Sequence, residues 1–203
     1  GIQAVRFAQK GYEVTGLDLS YEMLELAQKK AEAADVMMAL AQADMMALEG
    51  IGDFDAVTCY SDSLCYMADQ EAVLRVFEGV HSVLNQGGTF LFDVHSIYQM
   101  EEVFAGYSYH ENYEDFAFVW DTYEGEHEHS IVHELTFFVK DEDSHEDRFI
   151  RRDEVHEERT YPIETYVELL KQAGFASVEV FADFEDEAPT ETSQRWFFKA
   201  VKA

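Results

Sequence analysis

The stretch GYEVTGLDLS, residues 11–20, decides how the chain is read. Tyr12, Val14, Leu17 and Leu19 set four apolar residues around Gly16, as in a buried strand, and the run ends on Asp18 and Ser20 just before helical sequence. A carboxylate where a buried strand runs out needs a reason. In sheets of parallel strands, ligands bind outside the carboxyl ends. An acid after the second strand there pairs with both hydroxyls of a ribose, because a carboxylate accepts two hydrogen bonds from a cis diol. Asp18 fits that device. It also suits the first turn of the helix that follows, where negative charge stabilises the helix dipole by up to about 1 kcal/mol.

On the N-terminal side, Ile2, Val5, Phe7 and Ala8 recur at helical spacings and Gly11 supplies the stop. On the other side, Ser20 is a good N-cap for YEMLELAQKKAEAA, with Met23, Leu24, Ala27 and Ala31 three and four residues apart. A strand-like run begins at Val36, and DFDAVTCY reads as a second, centred on Val57 and Thr58. A helix is predicted from Asp69 to Leu84, striped by Val73, Val76, Phe77, Val80 and Leu84 and stopped by NQGG, before the buried strand TFLFDV. This alternation over residues 1–95 predicts an α/β fold: a doubly wound, mostly parallel sheet with helices on both faces.

From Tyr107 to Arg159 the pattern becomes the alternation of FAFVWDTYEG, SIVHELTFFVK and RFIRRDEVHEERT, separated by the acidic runs EGEHEH and DEDSHED. It predicts a three-stranded antiparallel insertion with hairpin loops and one wet face. The helix IETYVELLKQAGF and the strands ASVEVFADF and QRWFFKAVK then return to the first pattern, with an antiparallel last strand. Residues 1–100 and 160–203 therefore read as one core, and 101–159 as an insertion over its cleft.

The 203 residues, 47% hydrophobic, suffice for one substantial core. The formal net charge is −28, and residues 101–160 carry 19 acidic against 5 basic side chains. Such a field disfavours nucleic acid and anionic membrane partners. No apolar run reaches the roughly 18 to 20 residues that cross a bilayer. With no leader sequence and two cysteines, Cys59 and Cys65, too few for a disulfide framework, the reading is a soluble protein of a reducing cytoplasm. His127, His129 and His133 share a strand face by period-two counting, but without a second ligand pair they read as solvated, and no metal site is expected.

The positions just after the strands are Asp18, Asp44, Cys59 to Ser63, and Asp93 to Ser96. Together with AQADMMAL, FDAVTCYSDSLCYM, VLNQGGTFLFDVHS and RTYPIETYVELLKQAGF, the chain resembles the class I S-adenosylmethionine-dependent methyltransferases, in particular small bacterial members with a β insertion. The resemblance implies S-adenosylmethionine as cofactor and a small-molecule methyl acceptor. It implies that Asp18 holds the ribose hydroxyls, Leu19 and Met23 line the adenine and ribose side, and Asp44 and the Met45 N–H meet the adenine. Cys59, at the start of CYSDS, passes the methionine part. Asp44 is equally readable as a turn residue, and Met23 as core. Asp62, Tyr66, His95 and Tyr98 are the candidate bases or acceptor contacts. Gly1 stands where the family's glycine-rich loop ends, so the sequence predicts about 30 to 45 further N-terminal residues carrying the first strand, its loop and a lead-in helix.

Two rivals stand beside this reading. An acid after the second strand also suits the ribose of NAD, so a nicotinamide-dependent oxidoreductase is the alternative enzyme, although the closing strand pair matches the methyltransferase sheet better. The other is a non-catalytic module that keeps the cofactor pocket and docks a basic protein on its acidic insertion. The insertion is equally able to cap the cleft or to form a homodimer contact.

Overall fold

In the computed structural model, residues 1–142 and 148–203 are described. Helix α1 (Ile2–Gln9) buries Val5 and ends at Gly11, which takes a left-handed φ of 90°. Strand β1 (Thr15–Asp18) leads into α2 (Tyr21–Ala33), whose first turn is capped by Ser20: its hydroxyl accepts the Met23 N–H at 3.2 Å. Leu24, Ala27 and Ala31 form the buried stripe of α2. Strand β2 (Ala39–Gln42) then pairs in parallel with β1, Asp18 lying opposite Gln42.

The larger sheet has the order β3 (Phe54–Cys59), β4 (Leu84–His95), β10 (Arg195–Lys202), β9 (Phe175–Ala182). β3 and β4 are parallel, and β10 runs antiparallel to both its neighbours. The sheet is therefore mixed, and the reading of an antiparallel last strand holds. The parallel strands fall into two ladders, β1–β2 and β3–β4, rather than one continuous sheet.

Between β3 and β4 runs α3 (Gln70–Val83), capped by Asp69, whose carboxylate accepts the Ala72 N–H at 2.8 Å. Its apolar stripe packs on the sheet. The chain passes directly from α3 into β4, whose second to fifth residues are NQGG: Gly87 has φ +75°, and a Cβ at Gly88 would sit 2.8 Å from the Asn85 carbonyl oxygen. Helix α4 (Ile163–Gln172) buries Tyr166, Leu169 and Leu170 on the same core. At its centre the rings of Phe92 and Phe198, cross-strand partners in β4 and β10, stack with centroids 4.7 Å apart. Phe77 and Tyr166 lie against this pair, each 5.3 Å from one of its rings.

The insertion has four strands, not the three expected: β5 (Ser108–Asn112), β6 (Phe116–Glu124), β7 (Ser130–Lys140) and β8 (Phe149–Arg159), antiparallel throughout. SYHEN carries no apolar alternation, so β5 is a strand only through its ladder to β6. The first acidic loop is a turn as expected, whereas the second, residues 141–147, lies mostly outside the described residues. The histidine grouping is corrected as well. His127 and His129 belong to the turn before β7, His129 with a left-handed φ of 57°, and only His133 is on the strand.

The register sets Thr122, His133 and His156 side by side, with Trp120 and Leu135 on one flank and Ile131 and Glu158 on the other. By period two, these residues share one face of the sheet. Ile131, His133 and Glu158 are buried on that face.

Phe92 is fully buried amid rings on both sides, so Phe92→Ala should lower the unfolding free energy by about 3 to 5 kcal/mol. Urea denaturation measures this, and a loss below about 1 kcal/mol would show that the ring stack is not the centre of the core.

Candidate active site

After Cys59 the chain leaves β3 and turns through Ser61 and Asp62, which take left-handed φ values of 62° and 51°. Two successive non-glycine residues in that region persist only when their surroundings hold them. Here the hold is Asp93, on β4, whose carboxylate accepts the Ser61 N–H at 2.8 Å and the Asp62 N–H at 3.4 Å. Arg195, at the start of β10 and opposite His95 in the ladder, places Nη1 on Asp62 Oδ1 at 2.6 Å and also donates to Asp93 Oδ2. One guanidinium thus ties the loop after β3 to the last turn of β4.

His95 ends β4 with Nε2 between two carboxylates, 3.4 Å from Asp62 Oδ2 and 3.6 Å from Glu158 Oε2. Its carbonyl accepts the Thr160 hydroxyl at 2.7 Å, which fixes the chain just after β8 against the end of β4. Glu158 faces His133, whose Nε2 is 3.7 Å from Oε1. The other nitrogen of that ring, Nδ1, takes the Trp120 indole N–H at 3.0 Å. These groups, with Tyr66, Gln99, Phe104, Leu135 and His156, line a cavity of about 490 Å³.

Burial sets the protonation states. It pushes the Glu158 carboxyl up, the nearby Asp62 charge adds to this, and His95 opposes it. Burial also works to raise Asp62, but the hydrogen bond and charge of His95 and those of Arg195 overcome it and hold that carboxyl below its usual value. His133 is pushed down to about 4, first by burial and then by the charges of His95 and His156. The Tyr66 phenol rises through burial and through the charge of Glu158. Burial and then Asp93 lift the Cys59 thiol to about 12.

Of the residues singled out in the sequence, Asp62, Tyr66 and His95 come together in this cavity, and Tyr98 is not among its lining residues. Asp18 ends β1 with Oδ1 taking the Ser20 N–H at 2.9 Å; beside it Leu19 is 62% and Met23 46% exposed. Asp44 closes a turn after β2, Oδ1 accepting the Met46 N–H at 2.8 Å, and Met45 is half-buried against the core. Gly1 caps α1 and lies against α2, where a Cβ would meet Ala27 Cα at 3.0 Å. The site residues the sequence did not single out are Glu158, Gln99 and Arg195, and His133, read there as solvated, lines the cavity instead. The signal for Glu158 was a polar side chain on an inward period-two position. For Arg195 it was a cation at the first position of a largely apolar strand.

Among the described residues, Asp62, His95 and Glu158 offer ligand atoms within 4.8 Å of one another, a set chemically able to hold a divalent cation. Arg195 takes one oxygen of Asp62, so its positive charge stands beside any ion held there.

Residues 1–88 match the family model described as "Methyltransferase domain". The chain is 43% identical over 201 residues to "Putative methyltransferase YqeM" of Bacillus subtilis (strain 168), covering 98% of this chain and 79% of that protein. A protein of Geobacillus sp. (strain WCH70) under the same description is 44% identical over 202 residues, covering 100% and 81%. Among solved structures, an S-adenosylmethionine-dependent methyltransferase from Clostridium acetobutylicum ATCC 824 superposes with a TM-score of 0.85 at 25% identity, over 97% of this chain and 77% of that one. The chain belongs to the methyltransferase family. That membership sets aside the oxidoreductase and the non-catalytic module.

His133 provides a test of the site's electrostatics. Its folded value lies below the unfolded one, so the unfolded chain binds the proton first and this ring withdraws stability as pH falls from 6.5 toward about 4. Nitrogen-detected NMR should find His133 neutral, with the proton on Nε2, from pH 8 to 5. A ring titrating between pH 6 and 7 would contradict the site as described.

Proposed function

We propose that this S-adenosylmethionine-dependent methyltransferase delivers its methyl group to a small molecule held in the cavity between the loop after β3 and the inner face of the antiparallel sheet. The observation that carries the proposal is the buried cluster of Asp62, His95, Glu158 and Arg195, built jointly by core and insertion at the carboxyl ends of β3 and β4. A cavity of about 490 Å³ fits a small molecule. In this reading residues 1–100 and 160–203 hold the cofactor, and 101–159 cover the cleft and shape the acceptor site. The free thiols of Cys59 and Cys65 suit a reducing cytoplasm, where we place the enzyme. Among the described residues no helix is long and apolar enough to cross a membrane.

The residues at the ends of β1 and β2 fit the cofactor. Asp18 is oriented through one oxygen by the Ser20 N–H, and its carboxylate would hold the ribose hydroxyls. Leu19 and Met23 expose apolar surface beside it for the nucleoside. Asp44 and the Met45 N–H would hold the adenine edge, Gly1 would serve the amino-acid end, and Cys59 would border the methionine part. When bound, the cofactor supplies a methyl carbon already activated by a positive sulfur, so the protein's task is mainly alignment. Cys59, raised to about 12, stays a neutral thiol and does not compete for that methyl group. Asp62 remains ionised and fixed by Arg195, Tyr66 remains a neutral phenol, and together with His95 they position the acceptor. Tyr98, the residue before the short helix Gln99–Val103 that brings Gln99 to the cavity, is kept as a candidate acceptor contact.

Titration calorimetry with S-adenosylhomocysteine tests the cofactor half of this proposal. One molecule should bind per chain, and Asp18→Ala should weaken binding by about ten-fold or more, the loss of a charged hydrogen-bond acceptor. Silence at several hundred micromolar ligand would overturn it.

A further inference from the structure

We infer that the acceptor atom is an amine nitrogen, bound as a cation against Glu158 and Gln99 and walled by Tyr66, Phe104 and Trp120. The inference rests on the reading of the cavity as the acceptor site and adds the substrate class.

It begins with an inventory of uncommitted polar atoms. Glu158 is 6% and Gln99 8% exposed, and Glu158 Oε2 and Gln99 Oε1 are buried without a hydrogen-bond partner. Both side chains line the cavity. A buried acceptor left unmade costs about 1 to 3 kcal/mol, more for a charged group, so two in one cavity call for a ligand that brings donors. The third orphan, His133 Nε2, has its role fixed by its neighbour. An indole has only a donor, so Trp120 requires a bare Nδ1 on His133 and puts the ring proton on Nε2. That N–H points toward Glu158 Oε1 from 3.7 Å, so it neither ligates a metal nor takes a proton from the acceptor. It lies beside the carboxylate without bonding it, so His133 takes no part in the proton transfer.

Charge then narrows the ligand. Three carboxylates, Asp62, Asp93 and Glu158, face one permanent cation, Arg195, which Asp62 and Asp93 already occupy. A carboxylate, phosphate, thiolate or enolate acceptor would add negative charge to that excess. A hydroxyl offers one donor for two orphan acceptors. A protonated primary or secondary amine offers at least two donors and a positive charge, and aromatic rings on the wall stabilise that charge further.

The chemistry follows from the same atoms. Glu158 Oε2 accepts a proton from the bound ammonium, leaving a neutral amine. The nitrogen lone pair forms the new bond to the methyl carbon as the carbon–sulfur bond breaks, its electron pair going to sulfur. The methylated amine leaves as a cation, and Glu158 returns its proton to water. Nitrogen thus gains one methyl group, and one proton is released in total.

Matched probes test this on the full chain saturated with S-adenosylhomocysteine: benzylamine, benzyl alcohol and benzoate, followed by saturation-transfer NMR and the indole N–H shift of Trp120. Benzylamine should bind at least about ten-fold more tightly than the other two, and Glu158→Gln should remove that preference without changing cofactor affinity or melting temperature. Equal binding of the alcohol, preference for benzoate, or benzylamine affinity untouched by Glu158→Gln overturns the inference. So does stoichiometric binding of Zn²⁺ or Mn²⁺ at Asp62, His95 and Glu158 that shuts out the amine. A chain that binds S-adenosylhomocysteine but no amine refutes this inference alone, whereas one that binds no S-adenosylhomocysteine refutes the reading beneath it.

Discussion

The site depends on one guanidinium. Arg195 sits at the first position of β10 and is shared by Asp62 and Asp93, and Asp93 in turn holds the backbone of Ser61 and Asp62 in a left-handed turn. Without Arg195, two carboxylates would face each other in a largely buried pocket, and the loop after β3 would lose the anchor that keeps its geometry. Breaking such a pair costs more than the pair contributes, because it strands a buried charge. In a chain of net charge −28, a cation in this place acts as the keystone for the surrounding acids.

From that anchor the remaining groups fall into order. Asp62, held ionised, and Glu158, raised by burial, flank the His95 imidazole from two different sheets. The two carboxyls of one cavity are thus shifted in opposite directions, Asp62 held charged by its partners and Glu158 raised by burial. Thr160, directly after β8, donates to the carbonyl of His95, which ties the end of that strand to the residue that links the two acids. The opposite shifts arise where core and insertion meet, and neither could produce them alone.

The local parts of this architecture were legible in the sequence. Ser20 and Asp69 announced their helices by cap chemistry, β1 and β4 by apolar runs, and Asp18 by its place at a strand end, because each signal lies within a few residues of its effect. The cavity was half legible. Asp62, Tyr66 and His95 follow strands and were found by position, whereas Arg195 reaches Asp62 across 133 residues and Asp93 across 102. Glu158 and His133 sat in an acidic segment that reads as solvated. Their burial is created by the register of β6, β7 and β8 and by packing on the end of β4, which no local window contains. β5 was missed because SYHEN is a strand by pairing and not by pattern.

The central claim is that the methyl group is presented to the cavity around Glu158. A crystal structure of the protein with S-adenosylhomocysteine tests it most directly. The account predicts the ribose hydroxyls on Asp18, and the sulfur opening onto the cavity lined by Asp62, Tyr66, His95 and Glu158. A cofactor seated with its sulfur turned away from that cavity, or with its ribose on residues other than Asp18, would contradict the account.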